Sequence, residues 1–145
     1  MEELEDVIHR SGGFHALGVP IGEEGFCTHS AQDDFDRFFA RFDAISALDD
    51  IQCSLTLLRY LVFNQINFMV RCCPPELIGE ALFEYEQYAR DCLNRIVGFN
   101  LPRPAYLQST LPIHLGGLGI RSAARHAPAA YIASGIATAP LVDRL

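Results

Sequence analysis

Two adjacent carboxylate pairs, Asp33-Asp34 and Asp49-Asp50, are the side chains best suited by type to acid–base or two-metal work. Either chemistry needs carboxylates that converge on one reacting centre. Each pair instead stands at the start of an apolar-periodic segment, where helix capping accounts for it. The five histidines are isolated in the chain and fit no catalytic pattern. His114 and His126, which flank a glycine-rich segment, are the foremost of them. Cys27, Cys53, Cys72, Cys73 and Cys92 are odd in number and lack a second CxxC or an HxxxH at ligand spacing. They are expected to be reduced thiols on apolar helix faces. No catalytic, cofactor or metal site is therefore expected.

The elements that must position these groups are helical. From Ile51 to Gly98 the chain predicts two long helices separated by Pro74-Pro75. In the first, Ile51, Leu55, Leu58, Val62, Ile66 and Met69 share a stripe at 100° per residue, with Leu57, Leu61 and Phe68 beside it. An apolar arc that wide predicts a central helix touching two neighbours, with Ser54 and Gln65 as satisfied polar intruders. Asp49 or Asp50 caps its start, and Arg71 suits its last turn. Pro75 suits the first position of the second helix, because its missing N–H would be unpaired there anyway. That helix buries Leu77, Ile78, Ala81, Leu82, Tyr85, Tyr88, Ala89, Cys92, Leu93 and Ile96, and Gly98 ends it. Glu86–Arg90 and Asp91–Arg95 are spaced to pair across one turn. The short connection makes the two helices antiparallel neighbours.

Flanking segments are shorter. Glu2–Arg10 predicts one or two helical turns, Ala16–Ile21 a strand-like piece, and Glu23–His29 a loop. A helix over Ala31–Leu48 is capped by Thr28 or Ser30, with Phe35, Phe38, Phe39, Phe42, Ile45 and Leu48 buried. Phe99–Leu111 is irregular with one turn near Ala105–Ser109. Leu111–Ile120 alternates large apolar residues with glycines, which permits sharp turns, yet it has neither GxGxxG spacing nor a following GK[ST]. Ser122 caps a last helix of about Ala123–Ser134, with Ala127, Ala130, Tyr131 and Ser134 on one face, and the chain frays after it. The fold class is mainly α: a bundle built on a long helical hairpin, with at most a short N-terminal strand or hairpin.

A chain of 145 residues with half of them apolar supports one domain and a real core. No apolar run reaches the ~18 residues needed to span a bilayer, and the acidic start MEELED does not resemble a signal peptide. An intracellular chain is expected, nuclear or cytoplasmic, with no membrane partner. Net charge is −7, with 12 acids against 3 arginines in residues 1–50 and 6 acids against 8 arginines in residues 51–145. That balance argues against strong non-specific nucleic-acid binding and leaves room for a local contact in the C-terminal part.

Three segments stand in order along the chain: LGVPIG (Leu17–Gly22), LDDIQCSLTLLRYLVFNQINFMVRCCPP (Leu48–Pro75) and LPIHLGGLGIRSAARHAPAAYIAS (Leu111–Ser134). Together they resemble the region downstream of the catalytic palm in reverse transcriptases of non-LTR (LINE-type) retrotransposons. The resemblance covers Phe14–Ser134. It implies that Leu17-Gly18 belongs to a primer-grip hairpin, and that the following helices form a thumb packing on template–primer duplex. On that basis residues 1–29 are a primer-grip-like segment, 30–98 a three-helix thumb-like core, and 99–145 a connection with a C-terminal helix. Weak contact with an RNA/DNA hybrid duplex is implied, through Arg59, Arg71, Arg103, Arg121 and Arg125. The family's paired catalytic aspartates lie on an upstream palm hairpin and have no counterpart here. The chain is accordingly expected to be a fragment or degenerate copy that does not polymerise alone and whose partner is the missing palm and fingers. Two other readings stay open. One is a helical protein-interaction module, self-associating through an exposed surface of Phe14, Leu17, Val19 and Ile21. The other is a remnant without selected function.

Overall fold

A computed structural model of the chain describes residues 12–144. The helix expected over Glu2–Arg10 lies outside them, and so does the side chain of Gln65. The segment expected to be a strand over Ala16–Ile21 is instead folded back on itself. Strands β1 (Gly13–Ala16) and β2 (Val19–Gly22) pair antiparallel, with Phe14 opposite Ile21 and Ala16 opposite Val19. Their turn is Leu17-Gly18, with φ of 52° and 82°. Positive φ at both central residues lets a two-residue loop match the twist of the strands. Glycine adopts that geometry freely. Leu17 is the one non-glycine residue in that region among the described residues, and it is 97% exposed. Phe14 and Val19, expected to be exposed, are half-buried, and Val19 packs on the core.

The hairpin sits on the start of helix α1 (Glu24–Ser46), which begins about two turns before the expected Ala31. The Glu23 N–H donates to Gly12 O at 2.7 Å, and the Cys27 thiol donates to Pro20 O at 3.6 Å. No side chain caps α1. Contact with the hairpin holds the first turns helical despite Gly25, Thr28 and Ser30, so the loop expected over Glu23–His29 is overruled by packing. Ser30 is buried inside the helix, and Asp34 pairs with Arg37 at 2.9 Å; neither acts as a cap.

Helix α2 (Ile51–Leu57) starts where Asp50 accepts a hydrogen bond from the Cys53 N–H at 2.9 Å. It runs without a break into a π-helical segment, Leu58–Val62, and then into α3 (Phe63–Cys72). Pro74-Pro75 turns the chain into α4 (Pro75–Val97), which ends at Gly98 with φ of 79°. Ser54 is buried and satisfied, donating to Ile45 O at 3.1 Å or Asp50 O at 2.9 Å.

Helix α4 finds its densest packing against α1, with α6 (Ala123–Val142) as a further neighbour. The bonds Gln32–Glu84 and Arg95–Asp43 both join residues 52 apart, so α1 and α4 run parallel. Phe35, Phe42 and Tyr85 interlock between them at edge-to-face distances of 5.7 and 5.1 Å. Phe39 stacks on Tyr88 at 4.0 Å. The expected antiparallel hairpin meets chiefly where α2 touches α4, while α3 leaves α4 to pack on α6. Arg95 takes Asp43 and Ser46 as partners in place of Asp91. Arg90 takes the Leu101 carbonyl and the Tyr106 ring in place of Glu86. Cross-helix partners win because they also tie elements together.

The π-helical segment explains a second departure. Leu58, its first residue, is buried, and Ile66, Met69, Val70 and Cys73 are buried after it. At 100° per residue the buried stripe steps sideways by roughly a quarter turn, as one extra residue per turn requires. The face carrying Leu57, Leu61 and Phe68 is thereby left exposed, although the wide arc predicted a second neighbour for it.

Helix α5 (Arg103–Ser109) matches the turn expected near Ala105–Ser109. After a 3₁₀ turn at Ile113–Leu115 the glycine-rich segment folds back on α5. Ser109 O accepts from Leu118 N at 3.0 Å and from Ile120 N at 3.3 Å. Ser122 caps α6 by accepting from Arg125 N at 3.3 Å, and Ala127 and Ala130 are buried. The helix continues through Pro128 and Pro140 to Val142, where fraying was expected from Ile136 onward. No helix among the described residues is long and apolar enough to cross a membrane.

Candidate functional site

The π-helical segment and the glycine-rich turn face each other across a cleft of about 420 Å³. Arg59, Tyr60 and Asn64 line one wall, and Thr110, Pro112, Ile113, Gly119 and Arg121 line the other. Arg59 is held from several sides. Its guanidinium lies over the Tyr60 ring at 4.5 Å and donates to the Tyr60 hydroxyl. The backbone of Gly119 presses on its aliphatic stem, where an added Cβ would stand 3.0 Å from Cδ. Gly119 has φ of 71°, so a side chain there would be strained as well as crowded. Asn64 steadies the distorted helix by donating to Tyr60 O.

Among the described residues no acid lines this cleft. Among the described residues the ion pairs are His29–Asp33, Arg37–Asp34 and Arg95–Asp43, so neither Arg59 nor Arg121 has a carboxylate partner. Two unneutralised guanidiniums in one concavity attract an anion with planar, multidentate acceptors. That stands out in a chain of net charge −7.

Of the five arginines expected to meet phosphate, the fold brings together only Arg59 and Arg121. Arg71 is exposed in the last turn of α3, and Arg103 is exposed at the first residue of α5. Arg125 lies in the first turn of α6, where it and Arg90 act on buried Tyr106. Burial pushes the Tyr106 phenol up to about 12, with Glu86 adding to the effect and the two arginines opposing it. Leu17 and Gly18 form the hairpin tip, on a different element from this cleft. Sequence reasoning missed Tyr60 and Asn64. The one available signal was the Arg59-Tyr60 dipeptide, but regular helical spacing does not disclose the π-helical turn that aims it.

His126 Nε2 lies 3.2 Å from Asn67 Oδ1, joining α6 to α3, and His114 is exposed on the 3₁₀ turn. The two are not brought together by any contact. No group of three potential metal ligands occurs among the described residues.

All five thiols are free; Cys27, Cys73 and Cys92 are buried, whereas Cys53 and Cys72 are exposed against expectation. Burial pushes Cys73 and Cys92 up to about 11. The Asp50 carboxylate raises the Cys53 thiol, chiefly by charge repulsion of the thiolate. Native protein should therefore label with iodoacetamide at Cys53 and Cys72 only, and Asp50→Asn should speed the labelling of Cys53. Peptide mapping that finds Cys92 labelled as fast as Cys53 would contradict this.

No family model matches the chain, and neither does a curated protein or a solved structure at a significant level.

Proposed function

We propose that the chain is a thumb-like element of a non-LTR retrotransposon reverse transcriptase, bracing nucleic acid rather than performing chemistry. The observation that carries this is the pairing of Arg59 and Arg121 in one acid-free cleft. Two arginines without a carboxylate partner thus share one concavity of an otherwise acidic chain, where phosphate can be met. The order of elements supports the same reading: a hairpin with Leu17-Gly18 at its tip, then the helices of the core. In this role the chain acts beside a palm that supplies the metal-binding carboxylates.

The test is gel-shift titration with an RNA/DNA hybrid duplex across a range of salt. Binding should weaken linearly on a log–log plot as salt rises. Arg59→Ala and Arg121→Ala should each lower the slope by about one. Absence of any shift at the lowest salt would dispose of the proposal.

A second reading is a helical protein-interaction module. It is favoured by the uncovered apolar face of α2 and α3 and by Ile132, Ile136, Leu141 and Val142, all exposed on α6. Exposed apolar side chains of this kind promote association. Sedimentation showing a clean monomer across micromolar concentrations would count against it.

A further inference from the structure

The cleft has one more property than phosphate contact requires. Arg59 and Arg121 line a concavity of about 420 Å³, with room for more than a phosphate group. Its walls are part polar and part apolar: Pro112 and Ile113 face the pair formed by Tyr60 and Arg59. The Tyr60 ring is engaged by the Arg59 guanidinium and is still more than half exposed. An exposed aromatic ring beside two guanidiniums without a carboxylate partner combines the two groups that single-strand binders use, a stacking platform and a phosphate clamp.

From this geometry we propose that the Arg59–Tyr60–Arg121 cleft binds one nucleoside monophosphate unit, its phosphate between the two arginines and its base against Tyr60 and Ile113. The inference rests on the phosphate-contact reading of the same arginines and adds the base. The unit comes either from a free nucleotide or from an unpaired residue of a strand. Held by backbone packing of Gly119 and by the π-helical turn, Arg59 is pre-set for the clamp, so ligand binding needs little ordering.

Calorimetric titration of the whole chain tests this with adenosine 5′-monophosphate, adenosine, inorganic phosphate and an octa-adenylate single strand. The monophosphate should bind at least about tenfold tighter than adenosine, and about tenfold tighter than phosphate. Arg121→Ala, at an exposed position, should weaken the monophosphate about tenfold while circular dichroism stays unchanged. Tyr60→Leu should erase the advantage of the monophosphate over inorganic phosphate. A single strand binding at least as tightly as the monophosphate supports the site with a strand as the source, and the reverse order supports it with a free nucleotide. A monophosphate that binds no tighter than phosphate, or binds Arg121→Ala as well as wild type, would overturn the inference. Arginine-dependent hybrid-duplex binding in that case would leave the bracing role standing.

Discussion

Replacing Tyr85 by alanine is expected to cost the fold about 3–5 kcal/mol, a large share of the roughly 5–15 kcal/mol typical of a domain. Tyr85 is wholly buried in α4, and its ring meets Phe35 and Phe42 of α1 edge to face. Each such pair adds about 0.5–1.5 kcal/mol beyond the area it buries. Burial pushes the phenol well above the ordinary tyrosine range, so the ring stays neutral at any pH where the protein folds. The alanine variant leaves a cavity where α1 and α4 lie side by side, and tightly packed helices close such a gap only in part. Urea unfolding followed by circular dichroism measures it as a large fall in midpoint with an unchanged slope. Tyr88→Ala is the comparison: that ring is partly exposed, although stacked on Phe39, and its loss should cost less than half as much. Equal midpoints for wild type and Tyr85→Ala would mean that the parallel pairing of α1 and α4 is not the core of this fold.

Gly117→Ala is the second large effect. An added Cβ there would stand 2.0 Å from Leu111 O and 2.7 Å from Gln108 O. Both obstacles are backbone, so no side chain can swing aside. The turn that returns Leu118 and Ile120 to the Ser109 carbonyl must open instead. Overpacking with backbone displacement costs about 1–3 kcal/mol, with more where hydrogen bonds are lost. The same movement would draw Gly119 off the stem of Arg59 and loosen the cleft, so nucleotide affinity should fall together with melting temperature. Gly79→Ala supplies the contrast. Nothing lies within 4 Å of its added Cβ, and its helix-interior position should gain about 0.5–1 kcal/mol. A Gly117→Ala protein that melts with wild type would show that the glycine-rich turn is not closely packed.

The N-cap at Asp50 adds a pH dependence with a defined sign. The Cys53 N–H holds the Asp50 carboxyl below its ordinary value in the folded chain. A depressed carboxylate contributes stability above its unfolded pKa and loses it as pH falls through the folded value. Asp50→Asn should flatten that part of the acid limb.

What the residues alone determined is the set of features decided within a few positions of one another. Asp50 and Ser122 cap because an acceptor side chain meets an N–H three residues on. Pro75 opens α4 and Gly98 closes it because one lacks a donor and the other accepts left-handed backbone. The buried stripes of α1 and α4 follow from the 3.6-residue period, with no reference to what covers them. The α fold class was legible on the same local grounds, whereas Ala16–Ile21 read as one strand-like piece and folds back as a hairpin. Tertiary structure decided the rest, because those outcomes depend on partners distant in the chain. Docking of the hairpin moved the start of α1 ahead of every capping signal around Thr28 and Ser30. The π-helical turn shifted the buried face of the central helix and left Leu57, Leu61 and Phe68 uncovered. The convergence of Arg59 with Arg121 arose because a glycine-rich return brings the second beside a helix that carries the first. No spacing rule links those two positions; only the fold makes them neighbours.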